Sequence, residues 1–116
     1  LPIWTNRKRK RMPAIKRVNV ATTTDALANR KFKVIPPRGA LISLFAAGVT
    51  AGDTIGLSVG NQEVLVDGEP NIEISADVVD TDRDAILVNE RVPGGELFIP
   101  ITATTAVNFL LLIDYV

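Results

Sequence analysis

Three aspartates at alternate positions, Asp80, Asp82 and Asp84, form the pattern in this chain that comes nearest to a known chemistry. Calcium-binding loops gather carboxylate oxygens at such a spacing. With Asp80 as the first position of such a loop, the sixth is Ala85 instead of glycine and the twelfth is Arg91 instead of glutamate. We therefore predict a solvated turn, in which these three aspartates are the candidate ligands if a cation binds. No metal or other cofactor is expected.

Catalysis would need a nucleophile, a base and a group that orients the base. The chain has no histidine and no cysteine, so it lacks the commonest general base near neutral pH, the commonest zinc ligand and the thiol nucleophile. Ser43, Ser58 and Ser75 lie in strand-like patterns with no histidine to activate them. A pair of carboxylates could hydrolyse a glycoside, but a domain of this size has little room for a substrate cleft. We predict that the protein is not an enzyme.

The strongest charge feature is a basic segment near the N-terminus. Seven cations and no anion lie between residues 7 and 17, although the whole chain balances 13 Lys+Arg against 13 Asp+Glu. Residues 1–38 hold eleven cations and one anion, and residues 39–116 hold two cations and twelve anions. The neutral total therefore conceals a basic N-terminal part and an acidic body, which can attract each other between copies of the chain.

We interpret residues 1–17 as an extended arm that binds a partner. Its tip is apolar and carries the only tryptophan of the chain, and the cations follow it. Buried apolar side chains dominate the energy of most interfaces, while cations add an attraction that salt weakens. The predicted contact residues are Ile3, Trp4, Arg7, Lys8, Arg9, Lys10, Arg11, Lys16 and Arg17.

Three kinds of partner fit such an arm. A neighbouring protein subunit is favoured, because the acidic body of another copy offers a complementary surface. Nucleic acid is the alternative, since clustered Lys and Arg neutralise phosphates, but the cation run contains no aromatic side chain on which a base could stack. A membrane surface is disfavoured, although Trp4 beside a polybasic run is compatible with one.

Residues 18–116 have the sequence pattern of an all-β domain. Short segments rich in apolar and β-branched residues recur about every ten residues, and none shows ten residues of helical periodicity. Gly60-Asn61 and Asp67-Gly68 predict turns at the two ends of one strand, and Phe109–Ile113 predicts a buried strand. We predict an antiparallel β-sandwich of about eight strands, preceded by the arm. The strand order stays open between a jelly roll and an immunoglobulin-like arrangement.

A basic extended arm from Arg7 to Arg17, followed by short strands from Val18 to Tyr115 and loops rich in Gly, Ala and Thr, resembles the organisation of small viral capsid proteins. Jelly-roll coat proteins of icosahedral viruses and decoration proteins of tailed phages are similar in this respect. The resemblance implies a jelly-roll-like sandwich in a virion, a cyclic homo-oligomer (often a trimer) and contacts with other capsid proteins. The short chain and its zero net charge favour a minor capsid, cement or decoration component over a genome-packaging coat protein.

Overall fold

The computed structural model describes residues 13–48, 50–72, 85–104 and 106–116. In these residues the fold is all-β, as predicted, with no α-helix and with two sheets that are antiparallel apart from one short pairing. The strands are β1 (Ala14–Val20), β2 (Val34–Ile35), β3 (Ala40–Gly48), β4 (Thr54–Val59), β5 (Gln62–Gly68), β6 (Asn71–Ile72), β7 (Ile86–Val92), β8 (Gly95–Phe98), β9 (Ile101–Thr102) and β10 (Val107–Tyr115).

The two sheets bring together strands that are far apart in the sequence. The first sheet has the order β1-β10-β3, and β3 has two further partners. Strand β7 pairs antiparallel with the first part of β3, and β6 pairs parallel with its last two residues. The second sheet has the order β2-β8-β4-β5, and β9 also pairs with β4. The last long strand therefore lies between β1 and β3.

The two sheets share one hydrophobic core. Strand β10 shows the alternation expected of a strand, because Phe109, Leu111 and Ile113 are fully buried, whereas Leu110 and Leu112 between them are only half-buried. The second sheet contributes to the same core Ile35, Ile55, Leu57, Val59, Leu97 and Ile101. The predicted buried strand at Phe109–Ile113 is thus confirmed as the middle of β10.

The turn between β4 and β5 has the two residues that the sequence predicts, Gly60 and Asn61. Val59 pairs with Gln62 across this turn. Gly60 has a φ angle of 59°, a region that glycine enters without the steric cost of a side chain. The local sequence therefore determines this hairpin and its register.

The predicted turn at Asp67-Gly68 is wrong, because both residues belong to β5 and Gly68 pairs with Ile55. The pairing between β4 and β5 shifts twice, and each shift places one extra residue on β5. Asp67 lies at one of these β-bulges with a φ angle of 51°. The Asp-Gly pair therefore kinks an edge strand instead of ending it.

Strand β1 begins at Ala14, four residues before the predicted start of the domain at Val18. Its first four residues pair with β10, so they belong to the first sheet. The physical reason is the side-chain alternation of a strand, which sends Ile15 into the core while Lys16 lies exposed on the opposite face. Lys16 and Arg17, which the sequence analysis assigned to the arm, are therefore part of the sheet.

The described residues contain ten strand segments, where the sequence predicts about eight strands. Strands β8 and β9 both pair with β4 and are separated only by Ile99 and Pro100. Proline has no backbone N–H to donate, so it interrupts what is otherwise one strand. With β8 and β9 taken together and the two-residue β6 left aside, eight main strands remain.

Candidate functional site

Most of the predicted contact residues of the arm lie outside the described residues: Ile3, Trp4, Arg7, Lys8, Arg9, Lys10 and Arg11. The candidate cation ligands Asp80, Asp82 and Asp84 lie outside them as well. The described residues do contain the point where the predicted arm would join the body. There the backbone N–H of Ile113 donates a hydrogen bond to the carbonyl oxygen of Pro13 at 3.0 Å.

Two predicted contact residues, Lys16 and Arg17, are placed by β1 on opposite faces of the first sheet. Arg17 is half-buried, and its Nη1 donates a hydrogen bond to the carbonyl oxygen of Ala26 at 2.9 Å. Lys16 is exposed and lies directly opposite Leu110 of β10. Arg17 therefore stabilises the connection between β1 and β2, while Lys16 lies on the outer face of the first sheet.

The connection between β1 and β2 is held by Asp25. One carboxylate oxygen accepts hydrogen bonds from the backbone N–H groups of Leu27 at 2.9 Å and Ile99 at 3.2 Å. The other oxygen accepts a hydrogen bond from Nζ of Lys33 at 2.9 Å. The Asp25 side chain is only 15% exposed, and Leu27 beside it is completely buried. This carboxylate thus joins the connection to the second sheet.

The charge states of Asp25 and Lys33 follow from their contact. Burial alone would raise the pKa of Asp25, but the hydrogen bonds from Lys33 and from two backbone N–H groups outweigh burial and hold that pKa below its ordinary value. The hydrogen bond to Asp25 raises the pKa of Lys33 in turn. Nζ of Lys33 also lies 5.1 Å from the centre of the Phe98 ring. The hydrogen bonds of this pair join the connection between β1 and β2 to the second sheet, which indicates a structural role.

Asp53 is the one buried carboxylate in the described part of the chain. Its Oδ1 accepts a hydrogen bond from the backbone N–H of Thr104 at 2.8 Å, while Oδ2 has no hydrogen-bond partner. The bond joins the loop after β3 to the loop before β10. In the described residues no three His, Cys, Asp or Glu side chains lie together as a metal site would need. Asp53 therefore acts as a link between loops.

The outer face of the first sheet is largely apolar. Residues directly opposite each other on neighbouring strands share a face, and Leu110 lies opposite Phe45. Leu112 lies on the same face, and Leu41 there is 40% exposed. The charged side chains that the described part of the chain places on this face are Lys16, Asp114 and Arg91, at the ends of the strands.

The outer face of the second sheet carries a groove of about 160 Å³, which we call the β4–β5 groove. It combines an apolar floor with hydroxyl groups and two carboxylates. The residues that line its outer surface are Val66 and Pro100, the hydroxyl residues Thr54, Ser58 and Thr102, and the acids Glu63 and Asp67, whereas the side chain of Leu65 packs against the core. Val66 is 61% exposed beside it. The groove therefore suits a ligand that is partly apolar and partly cationic.

The β4–β5 groove was not among the predicted sites, although the sequence contains one signal for it. The segment Val64-Leu65-Val66 puts three apolar residues in a row on an edge strand, flanked by Glu63 and Asp67. A simple strand with one buried face would alternate apolar and polar residues. The broken alternation reflects the bulges in β5, which turn Val66 outward beside the two acids.

No helix in the described residues has the length and apolarity that a membrane crossing requires. Comparison with protein-family models, with curated proteins and with solved structures gives no match to this chain.

Proposed function

We propose that this protein is a structural component of a virus particle. In this proposal it is a minor capsid, cement or decoration protein with a jelly-roll sandwich, and it has no enzymatic role. It forms a cyclic homo-oligomer, such as a trimer, in which the N-terminal arm of one copy holds a neighbouring copy. Other capsid proteins are its further partners.

The observation that carries this proposal is the order of the eight main strands. Numbered along the chain, they are β1, β2, β3, β4, β5, β7, β8 with β9, and β10. The first pairs with the last, the second with the seventh, the third with the sixth and the fourth with the fifth, all antiparallel. This is the pairing of one antiparallel ribbon that is folded at its middle turn and wound into a barrel. Jelly rolls are built in this way, and viral capsid proteins use them widely.

A fold does not determine a function, because lectins and cupins are also jelly rolls. The residue composition favours the structural role among these. The chain has no histidine to bind the metal of a cupin-type site, and its aromatic content of 5% provides few platforms for sugar rings. The predicted arm also supports the structural role. A lectin or cupin that binds a small ligand has no need of five consecutive cations, which this chain has at residues 7–11.

The position of the arm also supports contact with a neighbour. The chain enters the body at Pro13 and continues into β1, which is an edge strand of the first sheet. Residues 1–12 alone would span up to about 40 Å when extended. A segment that leaves from a sheet edge with this reach can extend to another subunit. Its cations would meet an acidic body there.

The test is the molar mass of the nuclease-treated protein by light scattering, compared with a chain that lacks residues 1–12. The deletion stops at residue 12 because β1 begins at Ala14. We expect a discrete oligomer for the full chain and a smaller species for the shortened one. Equal masses for the two chains would contradict the proposal.

The salt dependence of binding distinguishes nucleic acid, the alternative partner, from a neighbouring copy of the chain. An arm that places five cations on DNA phosphates should show a slope of about −4 to −5 when log affinity is plotted against log salt. Self-association through an apolar tip should depend on salt less steeply, because much of its energy comes from burial of apolar surface. Self-association that disappears on nuclease treatment would favour the nucleic-acid function.

A further inference from the structure

We propose that the β4–β5 groove is the receptor for the arm of a second copy of this chain. Ile3 and Trp4 would contact its apolar floor, and cations of residues 7–11 would pair with Glu63 and Asp67. The proposal rests on the proposed function, since it names the surface on which the arm docks. It assigns the groove a ligand class, namely a short peptide with an apolar end followed by cations.

The chemistry of the groove matches that of the arm. Val66 and Pro100 offer an apolar surface, and both are exposed in the single chain. Glu63 and Asp67 line the same groove and are exposed. Their carboxylates could therefore pair with the cations of the arm. A groove of about 160 Å³ has room for one large side chain such as that of Trp4.

The backbone of the groove leaves open space on the outer face of the second sheet. A side chain at Gly56 would put its Cβ atom 3.0 Å from the carbonyl oxygen of Leu65 and 3.2 Å from Cγ of Pro100. Glycine at this position therefore leaves the middle of the groove without a side chain of its own. The β-bulges in β5 twist the neighbouring edge, so a ligand would lie across the outer face instead of adding a strand at the edge.

Charge distinguishes this groove from the other apolar surface of the molecule. Among the described residues, the outer face of the first sheet around Phe45 and Leu110 carries the cations Lys16 and Arg91 and the acid Asp114. A cationic arm would meet like charges there, whereas the groove offers two carboxylates. Electrostatic complementarity therefore favours the groove as the receptor of the arm.

The distance from the arm to the groove favours a second copy over the same chain. Strand β5 packs beside β7, which lies at the edge of the first sheet opposite to β1. A path from Pro13 to the groove must cross the width of a four-stranded sheet and the space between the two sheets. These two distances together are roughly 25 Å, and the path around the outer side chains adds to them. The nine Cα–Cα steps from Trp4 to Pro13 span at most about 32 Å. The arm would need nearly full extension to bind its own groove.

Disulfide trapping tests the proposal, because the chain has no cysteine of its own. Full-length Ile3→Cys and Val66→Cys proteins are prepared separately, mixed under reducing conditions and then oxidised. We expect a mixed disulfide between two different chains, identified by mass spectrometry. Asn89→Cys, exposed on the outer face of the first sheet, replaces Val66→Cys as the comparison. Equal trapping by the Asn89→Cys and Val66→Cys proteins would overturn the assignment to the groove.

The second measurement is the yield of the mixed disulfide after the two negative charges of the groove are removed. Glu63→Gln with Asp67→Asn on the Val66→Cys chain should lower the yield of the mixed disulfide about tenfold at physiological salt, as expected for two exposed ion pairs. Glu90→Gln with Asp114→Asn makes the same change of net charge on the first sheet and should leave the yield unchanged. An equal loss from both pairs, or from neither, would overturn the role of the two acids.

The outcomes also separate this inference from the proposed function. An oligomer in light scattering that gives no disulfide between residues 3 and 66 would overturn the groove and leave the proposed function standing. Absence of both the oligomer and the disulfide would overturn both. A disulfide that forms only within one chain, when both cysteines are on the same molecule, would overturn the claim of a second copy.

Discussion

Replacing Phe109 with alanine should lower the free energy of unfolding by about 3–5 kcal/mol, the range for large-to-small changes of buried aromatic side chains. Phe109 is completely buried in β10, and this strand lies between β1 and β3 in the first sheet. Its neighbours across the strands are Arg17 and Ala46, and neither can fill the space that a lost phenyl ring would leave. Urea unfolding followed by circular dichroism measures the change.

The adjacent residue supplies the control for Phe109→Ala. Leu110 lies on the opposite face of β10 and is only half-buried. Leu110→Ala should therefore cost about 1 kcal/mol at protein concentrations where the chain is dissociated. Losses of similar size at the two positions would mean that β10 is not oriented with Phe109 toward the core.

Replacing Asp25 with alanine should cost about 2–4 kcal/mol, because hydrogen bonds to a charged group are stronger than neutral ones and unsatisfied partners are costly. The change removes the acceptor for the backbone N–H groups of Leu27 and Ile99 and leaves Lys33 without its closest anion. Glu96→Gln is the matched control, since Glu96 is 48% exposed and lies 3.6 Å from the same lysine. It should change the free energy of unfolding by less than about 1 kcal/mol.

The lowered pKa of Asp25 also predicts a pH dependence. A carboxyl group whose pKa is lower in the folded state than in the unfolded state contributes stability above its unfolded pKa, which is about 3.9 for aspartate. That contribution should disappear as the pH falls through the folded pKa. Unfolding measured from neutral pH into the acid range should therefore show a smaller loss for Asp25→Asn than for the natural chain. Parallel curves for the two proteins would contradict this role of Asp25.

The sequence predicts the long strands of this fold well and the short ones poorly. In β3 and β10 the alternation of side chains is clear, because each strand buries one face over nine residues. In β2 and β9 only two residues pair, since Pro36 ends one and Pro100 precedes the other. The start of β1 is obscured by charge, because the cations at 16 and 17 extend the basic run into a strand that buries only Ile15 near its beginning.

The candidate site is harder to predict than the fold, for a physical reason. Glu63, Val66 and Asp67 are neighbours in the sequence, but the groove also needs Gly56 from β4 and Pro100 from the interruption after β8. The neighbours of β5 are determined by the strand order of the whole fold, which the local sequence does not specify. The acidic character of the body is visible in the sequence, whereas the apolar floor between two of its acids follows only from the bulges of β5.

The fluorescence of Trp4 tests the central claim, that the arm of one copy binds a neighbouring copy. Trp4 is the only tryptophan, so its emission reports on the tip of the arm alone. In the nuclease-treated full-length protein, we predict that the emission maximum moves to shorter wavelength as the protein concentration rises, in step with the molar mass. Emission typical of an indole in water at every concentration would contradict the account, and so would a buried indole that persists on dilution to the monomer.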